Sequence, residues 1–260
     1  MPVVDGISFS VTEGGKKTAR TLVLIHGAGS SHLCWSAGMR RVTGWRVLAL
    51  DLPGHGRSES AGQQSLEGYA EQVRAFLEKQ HIYRAVLVGH SMGGAVALQL
   101  ALDHPGLVIG LGMISSGAYL GVPGDLLEAL SSPSTLPVAI DLFQKKAFSS
   151  STPQALIEQT MRTLRRVRPG VLKNDWLACA RFDVRPRLNG IHIPVWAAVG
   201  AEDRLTPPAF SCFVSARLDN GRPQMIRNAG HMVIVEQPGE LEHGLRLFLE
   251  RLAREGGLAE

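Results

Sequence analysis

The amino-acid sequence predicts an α/β fold in which helices flank a mostly parallel sheet. Short, continuous apolar runs typical of buried parallel strands alternate with segments of helical periodicity. One stretch, 116–187, breaks this alternation, because it carries helical patterns and no convincing strand. A length of 260 residues, 45% of them hydrophobic and 19% charged, suits one such domain with a large insertion.

The predicted strands are an N-terminal hairpin followed by six apolar runs. In chain order they span 3–11, 21–26, 46–51, 85–90, 107–114, 194–200 and 224–227. The first segment alternates apolar and polar residues, as an antiparallel edge hairpin does. The others are mostly continuous apolar runs, as strands buried on both faces are, except for the short last segment.

The predicted helices outside the insertion span 65–80, 92–103 and 238–254. Ser65 is a suitable N-cap for the first, and Pro238 suits the first turn of the third. Segment 92–103 is apolar nearly all round, so it should be buried. Within the insertion the helical patterns span 125–130, 136–148, 153–166 and 171–179. We therefore expect a core domain of residues 1–117 and 188–260, with a helical lid of residues 118–187.

Composition narrows the cellular and chemical context. The three cysteines, Cys34, Cys179 and Cys212, show neither a disulfide framework nor metal-ligand spacing, which favours reduced packing residues in a cytoplasmic protein. The first residues lack the pattern of a signal peptide, and no run approaches the length of a membrane span. A net charge of +4 is by itself only weak evidence for a charged binding partner. Binding to nucleic acid is therefore not expected. The oligomeric state stays open.

Gly89-His-Ser91-Met-Gly93 is the strongest chemical signal. It fits the pattern G-x-S-x-G, follows a predicted strand and begins a predicted helix, which is the setting of a nucleophile elbow. Side chains flanking the serine would collide with neighbouring elements at so sharp a turn, hence the glycines. Ser91 is therefore the candidate nucleophile, and the N–H groups of the following helix would face a developing oxyanion.

His26-Gly-Ala28-Gly29 ends an earlier strand with glycines that allow the backbone to approach a ligand. The backbone N–H groups of Ala28 and Met92 are the candidates for an oxyanion hole. Segment 51–58, which reads DLPGHGRS, is interpreted as a structural turn in which Asp51 and Ser58 bond the backbone.

A serine nucleophile needs an acid and a histidine later in the chain, in that order. Asp203 follows the strand at 194–200, and Glu202 is its rival. The turn composition and the following Pro207 favour Asp203. His231 lies on a loop after the last strand, where a base could reach both partners. No pair of the other histidines has ligand spacing, so no metal site is expected.

The motifs HGAG, DLPGHGRS, GHSMGG, GAEDRLTP and NAGHMVIVEQP, in this order, resemble those of the α/β-hydrolase superfamily, in its serine esterase and enol-lactonase-like branch. The resemblance covers about residues 1–117 and 188–260. It implies an α/β-hydrolase fold with a mostly parallel eight-stranded sheet whose second strand is antiparallel. Related dehalogenases and epoxide hydrolases carry an aspartate where this chain has Ser91, which disfavours both activities.

The expected function is cofactor-free hydrolysis of a small or medium carboxylic ester, with a thioester or an enol-lactone as further options. Two alternatives stay open. One is a lyase that uses the same triad to abstract a proton from an anionic substrate, and the other is a non-catalytic ligand receptor on the same fold.

Four residues are candidate substrate contacts. Trp35 could line the pocket, and Met232 lies beside the base, although both could equally be core residues. The segment from Lys145 to Lys173 contains seven basic residues and a single acidic residue, Glu158, which gives it a net charge of +6. Arg162 and Arg166 share a predicted helix face with Arg165, where they could attract an anionic substrate. The alternative is a solvated lid surface.

Overall fold

The computed structural model describes residues 1–14, 20–130, 132–218 and 223–254. Eight strands within these ranges form one sheet in the order β1-β2-β4-β3-β5-β6-β7-β8. In chain order the strands are β1 (Val3–Val4), β2 (Ile7–Thr12), β3 (Arg20–Ile25), β4 (Trp45–Asp51), β5 (Ala85–His90), β6 (Val108–Ile114), β7 (Val195–Gly200) and β8 (Gln224–Ile226). The predicted α/β-hydrolase fold class is confirmed.

Strand β2 pairs antiparallel with both of its neighbours, and every other pairing from β4 to β8 is parallel. The central strands β3 and β5 are almost wholly buried, because helices cover both faces of the sheet. The carboxyl ends of parallel strands lie at one edge, so the loops after β3, β5, β7 and β8 meet there.

Nine α-helices occur in the described residues. They are α1 (Leu66–Lys79), α2 (Met92–Asp103), α3 (Gly124–Ala129), α4 (Leu136–Ala147), α5 (Gln154–Leu164), α6 (Pro169–Arg181), α7 (Pro208–Arg217), α8 (Val233–Glu236) and α9 (Pro238–Arg254). Ser65 caps α1 by accepting a hydrogen bond from the N–H of Gly68, as its residue type predicts. Helix α2 is buried nearly all round, which confirms the interpretation of its apolar sequence.

The sequence did not predict α7. Its buried residues include Ser211 and Ser215 beside Val214, so it presents no apolar stripe of helical period to detect. None of the helices is long and apolar enough, over the residues described, to cross a membrane.

Helices α3 to α6 lie between β6 and β7, where the sequence shows helical patterns and no strand. The predicted helix 153–166 ends earlier, at Leu164. Pro169 occupies the first turn of α6, and a residue that precedes proline is driven out of helical geometry, so the chain turns before Arg168. Arg166 therefore lies in a turn and not on the face of α5 that carries Arg162.

Candidate active site

The turn between β5 and α2 places Ser91 at the carboxyl edge of the sheet. Ser91 has φ 53° and ψ −120°, a conformation that non-glycine residues rarely adopt. A Cβ on Gly89 would lie 2.1 Å from the carbonyl oxygen of Gly93, and one on Gly93 would lie 2.1 Å from that of Ile25. Both glycines are thus required for a turn this tight. The N–H of Ser91 donates to the carbonyl of Ile114, which ties the strained turn to β6.

A chain of hydrogen bonds runs from Ser91 through His231 to Asp203. Nε2 of His231 lies 2.9 Å from Oγ of Ser91, and its Nδ1 lies 3.0 and 3.2 Å from the two carboxylate oxygens of Asp203. The carboxylate can only accept, so Nδ1 carries the proton and Nε2 is free to accept one. The three predicted residues therefore meet in the arrangement that activates a serine.

Asp203 is held as an anion by its surroundings. Its Oδ1 accepts hydrogen bonds from the N–H groups of Leu205 and Thr206, and its Oδ2 accepts from Oγ1 of Thr206. Burial alone would raise the pKa of Asp203, but His231 and the Thr206 hydrogen bonds lower it below its ordinary value. The rival acid, Glu202, instead accepts hydrogen bonds from the backbone and hydroxyl of Ser150.

His90 points away from Ser91, as expected for a neighbour on a sharp turn. Its Nε2 donates to the backbone carbonyl of His231 at 2.9 Å. Burial, together with the nearby His231, lowers the pKa of His90 to about 3, so it stays neutral. It supports the loop that carries the base.

The HGAG loop after β3 forms a tight turn beside Ser91. The N–H of Ser30 donates to the carbonyl of Gly27, and Gly29 has φ +64°, which favours glycine. Ala28 lines the pocket, and Met92 is the first residue of α2. Within the described residues, the backbone N–H groups of Ala28 and Met92 donate no hydrogen bond, which leaves both available to an oxyanion.

A pocket of about 230 Å³ opens above Ser91. Its wall is largely apolar and comes from the core loops and from helices α3 to α6. Its apolar side chains include Leu33, Leu120, Val122, Leu126, Phe143, Leu156, Met161, Leu164, Trp176, Leu205, Met232 and Val235. Among the described residues that line it there is no Lys, Arg, Asp or Glu.

The prediction that Trp35 lines the pocket is wrong. Trp35 is 1% exposed and packs in the core with Leu22 and Trp45. The one-turn helix His32–Cys34 directs Leu33 and Cys34 toward the pocket and residue 35 into the core. Met232 does line the pocket, beside His231.

Arg162 and Arg166 do not line the pocket, which corrects their prediction as direct substrate contacts. Both are exposed, because α5 turns its apolar face, with Met161 and Leu164, toward the pocket. Arg165, between them, contacts Gln144 and Asp141 on α4. The positive charge therefore lies on the outer surface of the predicted lid.

Sequence reasoning missed two side chains that position the site. Thr206 contacts Asp203 and His231, and its place in the GAEDRLTP motif could have revealed it. Glu236 accepts hydrogen bonds from the N–H groups of Gly230 and Ser149, so it joins the His231 loop to the segment after α4. Its signal in the sequence was an acidic residue directly after the apolar run 232–235.

Comparison with known proteins identifies the family. The model of the alpha/beta hydrolase family matches residues 22–243. The pimeloyl-[acyl-carrier protein] methyl ester esterase of Neisseria meningitidis serogroup A is 32% identical over 226 residues, which cover 82% of this chain and 71% of that protein. The solved structure of a thermophilic esterase is 32% identical with a TM-score of 0.81 and covers 96% of each chain. The enol-lactonase from Burkholderia xenovorans LB400 has a TM-score of 0.85 at 20% identity, over 94% of this chain and 96% of the other, and shows the shared fold.

The chain belongs to the alpha/beta hydrolase family. It is a hydrolase of the class that acts on ester bonds, and the resemblance found in its motifs is confirmed.

Proposed function

We propose that this protein is a serine hydrolase that cleaves a small or medium carboxylic ester through an acyl-enzyme on Ser91. The observation that carries the proposal is the continuous hydrogen-bond chain from Ser91 through His231 to Asp203 at the base of an apolar pocket. The pocket volume of about 230 Å³ lies below the usual range of about 300–1,000 Å³ for ligand sites, which favours a small acyl group.

In the proposed mechanism Oγ of Ser91 attacks the ester carbonyl while Nε2 of His231 accepts its proton. Asp203 fixes the imidazole tautomer and stabilises the cation that forms. The N–H groups of Ala28 and Met92 bind the oxyanion of the tetrahedral intermediate, an effect of about 3–4 kcal/mol for each donor in related chemistry. His231 then protonates the departing alkoxide, and a water molecule repeats the sequence to release the acid. These steps require no cofactor.

The lining of the pocket favours a neutral acyl group. A lyase that holds an anionic substrate would need a cation beside the reacting carbon, and the lysines and arginines of the described residues lie outside the pocket wall. Met232, Phe143 and Trp176 instead provide apolar surface near His231. Each buried methylene would contribute about 0.8 kcal/mol, so longer acyl chains gain affinity until the pocket is full. A cytoplasmic location stays a prediction from the sequence.

A panel of p-nitrophenyl esters, thioesters and lactones with graded acyl chains tests the proposal. We expect kcat/KM to rise by up to about fourfold for each added methylene, then to fall once the chain exceeds the pocket. The value of kcat/KM should be higher for neutral esters than for dicarboxylic half-esters of matched chain length. Elimination without any ester, thioester or lactone turnover would favour the lyase, and tight retention without turnover would favour a receptor.

Phe143 offers a sharper version of this test. It lines the pocket on α4 and stacks on Trp176, so Phe143→Ala should move the preferred acyl chain to a longer one. Val138 lies on the same helix with a 52% exposed side chain. Val138→Ala should therefore leave the chain-length profile unchanged, and equal shifts in both variants would count against this assignment of the pocket wall.

A further inference from the structure

A buried carboxylate in the predicted lid reaches into the core beside the HGAG loop. Asp175 lies on α6 and has no exposed surface. Its Oδ2 accepts a hydrogen bond from the N–H of Gly29 at 2.9 Å and lies 2.7 Å from Nε2 of His55, and its Oδ1 accepts from the hydroxyl of Tyr69 at 2.6 Å. One side chain thus joins α6, the HGAG loop, the DLPGHGRS turn and α1.

The hydrogen-bond pattern gives His55 a positive charge. Its Nδ1 lies 3.1 Å from the carbonyl oxygen of Pro53, which can only accept, while its Nε2 faces the Asp175 carboxylate. Both ring nitrogens therefore donate. Although burial favours the neutral ring, Asp175 raises the pKa of His55 above its ordinary value, in agreement with an imidazolium–carboxylate pair.

The neighbouring histidine has the opposite state. Nε2 of His26 accepts a hydrogen bond from the N–H of Leu52, and its Nδ1 donates to the carbonyl of Gly27. His26 is therefore neutral, and the rings of His26 and His55 lie 4.8 Å apart. The HGAG loop is held from within the core by His26 and from the lid side by Asp175.

The contact with Gly29 matters because of the peptide it fixes. The N–H that Asp175 accepts belongs to the peptide between Ala28 and Gly29, so the bond restrains the backbone of Ala28. A Cβ on Gly29 would lie 2.5 Å from Leu164 and 2.7 Å from Leu172, so the lid packs directly on this turn. The proposed oxyanion donor next to it has no other support from the lid among the hydrogen bonds of the described residues.

We propose that Asp175 is a positioning residue for the oxyanion hole: it couples the position of helix α6 to the orientation of the Ala28 N–H. The inference rests on the proposed function, since it assigns the oxyanion to this loop. A donor misplaced by about 1 Å can cost up to about a hundredfold in rate, and loss of one donor costs about 10²–10³ in kcat.

Three single variants separate positioning from stability. Asp175→Ala removes the acceptor for Gly29. Asp175→Asn retains an amide oxygen that can accept the same hydrogen bond. Tyr69→Phe removes a partner of the same carboxylate on its other oxygen and leaves the Gly29 contact in place. We measure kcat, KM, Tm and the affinity for a trifluoromethyl ketone, which forms a tetrahedral oxyanion adduct with a serine.

We expect Asp175→Ala to lower kcat by about tenfold or more with little change in KM. The affinity for the trifluoromethyl ketone should fall by a similar factor. Asp175→Asn should recover most of kcat, and Tyr69→Phe should lower Tm while kcat is retained. Full kcat in Asp175→Ala, or an equal loss in Tyr69→Phe, would overturn the inference.

A combined variant protects the test against misfolding. Replacing a buried ion pair with apolar residues of similar volume is often neutral or stabilising, so His55→Leu, Tyr69→Phe and Asp175→Leu together should fold. This variant still lacks the acceptor for Gly29, and we expect the same loss of kcat. Wild-type kcat here would contradict the inference. The proposed function fails separately, if Ser91→Ala keeps its activity.

Discussion

The two walls of the pocket are built on different principles. The core wall carries the candidate catalytic groups: Ser91, His231 and Asp203 are hydrogen-bonded to one another and are held by further hydrogen bonds from β6, β7 and the loop after β7. The lid wall, formed by helices α3 to α6 of the predicted lid, is mostly apolar, with Phe143 and Trp176, and its positive charge lies outside. Under the proposed function, bond breaking belongs to the core wall and substrate choice to the lid wall, so changes on the two walls should act on different kinetic constants.

The largest effect should come from the acid of the core wall. Asp203→Asn removes the charge that fixes the tautomer of His231, and we expect kcat to fall by about 10⁴-fold. Glu202→Gln is the matched control, because its carboxylate bonds Ser150 and not His231. Steady-state kinetics of both variants decides between the two carboxylates, and equal losses would mean that Asp203 is wrongly assigned.

Two buried histidines near the core wall should also make the protein sensitive to acid. Burial lowers the pKa of His26 and of His90 to about 3, below the value of about 6.5 in an unfolded chain. Their stabilising contribution is therefore present above about pH 6.5 and is lost as pH falls toward 3. Each can remove up to about 1.4 kcal/mol of unfolding free energy per pH unit.

Denaturant unfolding at several pH values between 7.5 and 5 checks this slope. His26→Gln should flatten it, whereas His243→Gln, at an exposed position on α9, should run parallel to the wild type. An unfolding free energy that does not change across this range would contradict the neutral, buried state of the two histidines.

The smallest effect should come from the outer lid surface. Arg162→Glu combined with Arg166→Glu should leave kcat/KM for a neutral ester within about twofold, because both arginines are exposed and outside the pocket. An anionic ester of matched acyl group should lose at most a few-fold, and added salt should remove the difference as the Debye length shortens to about 8–10 Å. A tenfold loss with the neutral ester would place these arginines in the site after all.

The sequence was most informative where a function depends on neighbouring residues. The elbow around Ser91 and the helix 92–103 follow from local sterics and apolar pattern, and both are found as predicted. Asp203 and His231 could be predicted because each follows a strand, and the carboxyl ends of these strands lie at the same edge of the sheet.

What the sequence did not reveal depends on contacts between distant segments. The direction of the Trp35 side chain depends on the single helical turn that precedes it. The position of Arg166 depends on where α5 ends ahead of Pro169. The partners of Asp175 lie 106 to 146 residues away in the chain. Its local signal was weak: an acidic residue at helical spacing among the buried residues of α6.

Covalent trapping of the nucleophile tests the central claim most directly. A fluorophosphonate should label the wild-type protein once, and mass spectrometry of the digested protein should place the adduct on Ser91. Ser91→Ala should take up no label and should lose about four orders of magnitude or more in kcat while its Tm is retained. Label on another residue, or labelling and ester turnover that survive in Ser91→Ala, would contradict the account.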